Sequence, residues 1–259
     1  MSWFFAWIDR WTQQTVRQAA HRHGRRSFIT RLGAVMVGVL QWVPLGVGGV
    51  VATIVADKGL APLLSLGWFI LAVIVALILQ AVWYLTRIQF SSWASPKLVL
   101  IGCRDALVMA FSTASSTATM PVTYQCLREK VGLRERSASL GALVGSNFNN
   151  DGTALYEAVA ALFVAQLLGI KLTLMAQVVV VLTSIVASVG AAGIPEAGLV
   201  TMALVFNAVG LDTGFIALIF SVDWFLDRCR TAINVMGDIN IACILDGRKR
   251  ENKSEEQPV

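Results

Sequence analysis

Long apolar stretches alternate with short polar ones along this chain, and they predict a series of helices. Continuous apolar runs predict spans over 32–56 and 62–86. The polar residues Asp57, Lys58 and Gly59 predict a turn between these spans, and 87–97 predicts a loop. About 20 apolar residues cross the hydrocarbon core of a bilayer, so runs of this length are typical of transmembrane helices.

Three further apolar segments contain polar or small-residue interruptions. The segments, each with its interruption in parentheses, are 98–126 (112–121), 139–169 (145–153) and 175–209 (188–198). An unsatisfied backbone group in hydrocarbon costs several kcal/mol, so such breaks are tolerated where protein or a wet cavity surrounds them. Paired interrupted segments indicate the binding site of a secondary transporter, and two kinked ordinary helices are the alternative.

The segment 214–245 predicts a long amphipathic helix with one polar stripe. At 100° per residue, five polar positions fall within an arc of about 80°. They are Asp223, Asp227, Arg230, Asn234 and Asp238. A charge at the centre of a membrane helix costs about 2.5–3.5 kcal/mol, so the stripe must face protein, water, ions or substrate. Arg230 suits a carboxylate, Asp227 an ammonium group and Asp238 a small cation, and a structural ion-pair network is the alternative.

A second group of polar residues lies in the interruption at 145–153. Its members are Asn147, Asn149, Asp151 and Thr153, and glycines at 145 and 152 would permit local unwinding. Freed carbonyls together with Asn and Asp oxygens would form a sodium-like site. Glu157 follows within an apolar stretch, where it could carry a proton or be capped by a neighbouring hydroxyl.

Composition and charge support a membrane protein. The 259 residues are 56% hydrophobic and 14% charged, with a mean hydropathy of +0.67, which excludes a disordered chain and disfavours an ordinary soluble globule. The net charge of +5 is concentrated in 1–31, 128–136 and the tail 246–259. Because these clusters alternate with apolar runs, they indicate cytoplasmic flanks of helices and no nucleic-acid partner. The four scattered cysteines predict neither a disulfide framework nor a metal cluster.

Charge placement also predicts the topology. If 98–126 re-enters from the cytoplasm and 175–209 re-enters from outside, every basic cluster lies on the cytoplasmic side. The predicted fold class is therefore an all-α integral membrane protein with transmembrane helices and two re-entrant helical hairpins of opposite orientation. In this fold, segment 139–169 is a helix broken at Asn-Asn-Asp-Gly-Thr.

The predicted organisation has three parts. An interfacial arm covers 1–31, for which a disordered basic tail is the alternative. A membrane domain covers 32–245, in which 32–86 supplies a scaffold-like helix and the helix after it. A polar tail covers 246–259. The expected location is the cell (inner) membrane, as a multi-pass protein in contact with lipid, with both termini cytoplasmic.

Four motifs, in order, resemble the dicarboxylate/amino acid:cation symporter family, which includes the glutamate transporters. They are Ser115–Thr123, Asn149–Glu157, Gly190–Pro195 and Asp227–Asp238. The resemblance covers about residues 40 to 245 and implies an elevator mechanism, in which a mobile domain carries substrate and ions across a fixed scaffold. The implied activity is sodium-coupled symport of an acidic amino acid such as glutamate or aspartate, with H+ or K+ as further candidate coupling ions. It implies no enzymatic activity.

The resemblance also implies roles for single residues. Arg230 would bind the substrate side-chain carboxylate and Asp227 its amino group. Asn234 and the backbone of Ser116 would bind the α-carboxylate, with Thr153 and Gly198 nearby. The sodium ligands implied are Gly145, Asn149, Asn234 and Asp238 for one ion, the carbonyls of Ser188, Val189 and Ala191 for a second, and Asp151 for a third. Glu157 matches the position of the proton carrier in animal-type members.

The sequence departs from the family pattern in several places. Asn150 replaces the usual methionine, and Asn147 stands where threonine is common. Arg228, with Ala114 on the first hairpin, resembles the animal-type arrangement. The family's first four or so helices have no counterpart in this sequence, so a fragment, a partner-dependent half and a decayed copy are all open, as is a homotrimer.

Two other functional classes remain open from the sequence. One is a non-transporting membrane protein that binds a substrate or a partner chain. The other is an intramembrane aspartyl hydrolase using Asp223, Asp227 or Asp238. The second is disfavoured because such aspartates normally face each other across two helices, and because Arg230 would hold Asp227 ionised.

Overall fold

The computed structural model describes residues 43–191 and 197–249, and this part of the chain is helical without a β-strand. The predicted arm 1–31, most of the second hairpin tip and the tail from residue 250 lie outside the described residues. The chain forms two compact units, 1–52 and 53–259. All the packing described below lies within the second unit.

Eleven α-helices are present in the described ranges. They are α1 (Val43–Lys58), α2 (Ala61–Ser91), α3 (Pro96–Gly102), α4 (Arg104–Thr113), α5 (Ser116–Gln125), α6 (Glu135–Ser139), α7 (Gly145–Phe148), α8 (Asp151–Leu167), α9 (Leu174–Gly190), α10 (Ala197–Ala208) and α11 (Ile216–Asp246). Two π-helical stretches, Cys126–Val131 and Leu140–Val144, continue α5 and α6. A 3₁₀ turn, Thr213–Phe215, precedes α11.

Helix α2 is longer than the predicted span. It has 31 residues, and among the described helices it alone is long and apolar enough to cross a membrane, with a window of mean hydropathy 2.6. The predicted loop 87–97 is wrong in part, since α2 continues to Ser91 and α3 begins at Pro96. Proline is favoured in the first turn of a helix, because its missing N–H is not needed there. The predicted turn before α2 is also shorter, since α1 includes Asp57 and Lys58.

In the first interrupted segment, the interruption separates two packed helices, α4 and α5, by a short break. Ala114 at the break has a positive φ of 50°, which non-glycine residues adopt rarely. The hydroxyl of Ser115 accepts a hydrogen bond from the Ala118 N–H at 3.1 Å and so caps α5. Most of the hydroxyl-rich run is therefore helical, and the interruption is confined to two residues.

The second interruption separates α7 from α8. Asn149 (φ −97°, ψ 83°) and Asn150 (φ −110°, ψ 46°) both leave the helical conformation. In the third interrupted segment, α9 ends at Gly190 and α10 begins at Ala197. The break at Asn149 and Asn150 places both side chains against α11, where Asn149 hydrogen-bonds to Asn234 and Asp238, and Asn150 to Asn234.

Two apolar clusters form the core and leave a polar layer between them. The first cluster joins α2, α8, α9 and α10 to the first half of α11, through residues such as Phe69, Met202 and Leu226. The second joins the end of α2 and helices α3 to α6 to the last part of α11, through residues such as Ile88 and Ile239. Because α11 runs through both clusters, its polar stripe is buried between them.

Candidate functional site

A small pocket lies against the middle of α11. Its lining residues are Ala114, Ser116, Asn150, Thr153, Ala191, Ala197, Gly198, Asp227, Arg230, Thr231 and Asn234. All six residues that the sequence suggested for substrate binding are therefore brought together, although they come from four helices. Four lining residues were not indicated by any sequence pattern, namely Ala114, Asn150, Ala197 and Thr231. Thr231 could have been found, because it follows Arg230 within the polar motif of α11.

Arg230 is the central side chain of the pocket, and it is only 2% exposed. Its Nη2 donates to Asp227 Oδ1, and its Nη1 lies 3.7 Å from Asp223 Oδ1 but has no hydrogen-bond partner in the described part of the chain. Its guanidinium carbon lies 4.5 Å from the centre of the Tyr156 ring, within the range of a cation–π interaction. A buried N–H without a partner is costly, so this group is well suited to donate a hydrogen bond to a ligand oxygen.

Gly198 on α10 allows this placement of Arg230. A Cβ atom at Gly198 would lie 2.7 Å from Nη1 and 2.9 Å from the guanidinium carbon. Such distances are shorter than van der Waals contact, so a larger residue would displace the guanidinium. The backbone of α10 therefore forms one wall of the Arg230 site.

Tyr156 and Asp223 form a second polar pair behind Arg230, which the sequence reasoning missed. The Tyr156 hydroxyl donates to Asp223 Oδ1 at 2.6 Å, and both residues are at most 1% exposed. Asp223 Oδ2 has no partner among the residues that the structure describes. Both residues lie within motifs that the sequence identified, but neither motif shows that they meet.

Asn234 connects α11 to the start of α8. Its Oδ1 accepts the Gly152 N–H at 2.8 Å, and its Nδ2 donates to Thr153 Oγ1 at 3.1 Å and to Asn150 Oδ1 at 3.3 Å. The hydroxyl of Ser116, another lining residue, donates to the Ser146 carbonyl at 3.3 Å. Asn234 thus holds the start of α8 to α11, and Ser116 holds α5 to α7.

The residues suggested for the first sodium ion lie together. Asn149 Nδ2 donates to Asp238 Oδ1 at 3.0 Å and to the Asn234 carbonyl at 3.2 Å, so these two oxygens converge on one point. A Cβ atom at Gly145 would lie 2.6 Å from Asp238 Oδ1, so glycine permits the close approach of α7. A buried carboxylate with nearby carbonyl oxygens is a donor set that fits a small hard cation.

The residues suggested for the second sodium ion are less suited to bind a cation than those around Asp238. The Ser188 carbonyl already accepts two hydrogen bonds, from Asn150 Nδ2 at 3.0 Å and from the Ala191 N–H at 3.1 Å. A carbonyl oxygen has two lone pairs, so a cation here would have to displace one donor. Asp151, suggested for the third ion, accepts a hydrogen bond at Oδ2 from the Tyr84 hydroxyl at 2.6 Å. No sequence pattern indicated this contact.

Glu157 and Arg228 complete the surroundings of the pocket. Glu157 is fully buried; its Oε1 accepts the Thr201 hydroxyl, and its Oε2 lacks a partner within the described ranges. This is the hydroxyl-capped arrangement that the sequence left open beside a proton carrier. Arg228 donates to the carbonyls of Phe111 and Ser112 at 3.2 and 2.6 Å, so it lies next to Ala114 at the break between α4 and α5.

A buried charged pocket at the ends of interrupted apolar helices is typical of a carrier for a small charged solute. The sequence pattern of the sodium:dicarboxylate symporter family matches residues 16–248. The chain belongs to this family.

Known relatives agree with this assignment. The chain is 43% identical over 226 residues to excitatory amino acid transporter 4 of Mus musculus, covering 85% of this chain and 40% of the relative. It is 44% identical over 206 residues to excitatory amino acid transporter 2 of Homo sapiens, covering 78% of this chain and 36% of the relative. It is 41% identical over 207 residues to human excitatory amino acid transporter 1, covering 78% and 38%. The chain thus spans about two-fifths of the length of these relatives.

Proposed function

We propose that this chain is the substrate-binding part of a sodium-coupled symporter for acidic amino acids such as glutamate or aspartate. The observation that carries the proposal is the buried Asp227–Arg230 pair in the wall of the pocket. An acidic amino acid would exchange this internal pair for two pairs with the ligand, its side-chain carboxylate on Arg230 and its ammonium group on Asp227. Arg230 and Asp227 then both keep a charged partner, and the α-carboxylate is left to neutral hydrogen-bond donors.

The remaining roles follow from positions around the pocket. Asn234 and the Ser116 backbone would hold the α-carboxylate, with Thr153 and Gly198 forming the adjacent walls. Sodium would bind at the oxygens around Asp238, where the donor set fits. Glu157, buried and with one unpaired oxygen, would supply a proton if transport is also proton-coupled, while K+ is the other candidate counter-ion.

The proposal includes a membrane arrangement. Helices α4 with α5, and α9 with α10, would form two re-entrant hairpins of opposite orientation, and the membrane domain would cover 32–245 with both termini cytoplasmic. The exposed apolar side chains of α2, such as Leu64 (77%) and Trp68 (75%), support contact with lipid or with other helices. The described unit would then be the mobile part of an elevator that moves against a scaffold.

An alternative is a non-transporting or partner-dependent membrane protein with the same pocket. The observation that favours it is the coverage, since the chain spans about two-fifths of the relatives that it matches. A homotrimer or a separate N-terminal half would be the partner in a working assembly. Substrate binding without uptake would be the mark of this alternative.

The test is uptake of radiolabelled aspartate and glutamate into proteoliposomes, with an inward sodium gradient or with choline in its place. We expect sodium-dependent uptake, and loss of at least about 30-fold in substrate affinity in Arg230→Ala, because a buried charge pair loses one partner. Arg104→Ala is the matched control, since the Arg104 side chain is 79% exposed. Calorimetry on purified protein separates binding from transport, and binding that ignores sodium and Arg230 would refute the proposal.

A further inference from the structure

Asn150 lies between the start of α8 and the end of α9, and its side chain connects three segments. Its Nδ2 donates to the Ser188 carbonyl at 3.0 Å, and its Oδ1 accepts from Asn234 Nδ2 at 3.3 Å. All three residues are at most 4% exposed. A buried amide with partners at both ends is a firm connection, because breaking it would leave polar groups without water.

The direction of these hydrogen bonds follows from the groups at the two ends of the series. The Gly152 N–H can only donate, so the atom of Asn234 that faces it must be Oδ1. Asn234 then presents Nδ2 to Asn150, and the facing atom of Asn150 must be its Oδ1. This leaves Asn150 Nδ2 toward the Ser188 carbonyl, which can only accept. The amide orientations are therefore determined by backbone groups at both ends.

The hydrogen bond from Asn150 also occupies one of the two lone pairs of the Ser188 carbonyl oxygen. With the Ala191 N–H at 3.1 Å as the second donor, this carbonyl has no lone pair left for a cation. A methionine at position 150, as is usual in the family, has no N–H to donate and would leave one lone pair free. The asparagine is therefore the specific cause of the poor fit of a sodium ion at Ser188.

We infer that the Asn150 amide takes the place of a cation at the end of α9, holding α9 to α8 and α11 without sodium at that position. The consequence for ion coupling rests on the proposed function. Because the amide occupies this position, the chain would couple substrate binding to one sodium ion fewer than a variant with methionine at position 150. The first site, around Asp238, is not affected.

Hydrogen–deuterium exchange of the full chain tests the connection without any substrate. The amides at the end of α9, residues 185–191, should be equally protected in sodium and in choline buffer in the wild type. In Asn150→Met, the protection factors of these amides should fall by at least about tenfold in choline and recover in sodium. The expected fall corresponds to the loss of one hydrogen bond to a buried carbonyl. Asn207→Met is the matched control, because Asn207 is exposed near the end of α10 and belongs to none of the proposed ligand sets.

Two outcomes would overturn the inference. One is a clear sodium-induced rise in protection at residues 185–191 in the wild type, and this comparison decides the matter even if the variant does not fold. The other is an Asn150→Met protein that stays protected in both buffers.

Sodium linkage to substrate binding provides the second readout. The logarithm of the apparent aspartate affinity, plotted against the logarithm of sodium concentration, has a slope that counts the ions taken up with the substrate. We expect the slope to rise by about one in Asn150→Met and to stay unchanged in Asn207→Met. Equal slopes in wild type and Asn150→Met would contradict the inference. A wild type that binds no acidic amino acid would refute the proposed function instead, and the exchange experiment would still test the connection.

Discussion

Replacing Tyr156 by phenylalanine tests whether the Tyr156–Asp223 pair keeps Arg230 available for substrate. The substitution removes one hydroxyl, which donates to Asp223 Oδ1 at 2.6 Å, and it keeps the ring against the guanidinium. Asp223 would then have no hydrogen bond in the described structure, since its Oδ2 already lacks one. Its nearest remaining partner would be Arg230 Nη1, now 3.7 Å away.

The size of the effect follows from the nature of the lost bond. A hydrogen bond to a charged group contributes about 1.5–3 kcal/mol, and the buried carboxylate cannot turn to water instead. We expect Asp223 to move toward Arg230 and compete with the substrate carboxylate. The free energy of unfolding should fall by about 2 kcal/mol, and substrate affinity should fall by about tenfold or more, since 1.4 kcal/mol corresponds to a factor of ten.

Isothermal titration calorimetry with aspartate and thermal unfolding in the same detergent measure both effects. Tyr124→Phe is the matched control, because Tyr124 packs beside the second apolar cluster, away from the pocket. A Tyr156→Phe protein with the wild-type dissociation constant and melting temperature would refute the reasoning. A lower melting temperature with unchanged affinity would show that the pair stabilises the fold but does not position Arg230.

Two further substitutions probe the pocket wall and the far end of α11. Gly198→Ala should weaken aspartate binding measured by calorimetry by about tenfold or more, because its Cβ would displace Arg230; Gly190→Ala, where a Cβ meets no described atom within 4 Å, should not. Trp93→Phe removes an indole N–H that donates to Asp246 Oδ2 at 2.6 Å, so thermal unfolding should show a loss of about 1.5–3 kcal/mol. Unchanged aspartate affinity in that variant is expected, and a large change would contradict the assignment of this contact to stability alone.

The sequence was most informative where periodicity or composition carries physical meaning. The stripe from Asp223 to Asp238 could be placed on one face because an α-helix repeats every 3.6 residues, and the structure buries all five positions. The interruption at Asn149 and Asn150 could be located because Asn and Gly are poor residues for a helix interior, whereas most of the run 112–121 is helical despite its Ser and Thr residues. Helix ends were less well predicted, as α2 shows, because an apolar helix tolerates polar residues such as Arg87 in its last turns.

By itself, then, the sequence determined the helical class, the broken segments and the face of α11 that must avoid lipid, since these depend on local spacing and on the cost of burying polar groups. Only the tertiary structure decided which polar groups meet. Tyr84 with Asp151, Thr201 with Glu157, and Asn150 with Ser188 are separated by 67, 44 and 38 residues. Such contacts depend on the angles and distances between helices, which no helical period encodes, and for that reason the amide contact at Ser188 could not be read from the asparagine alone.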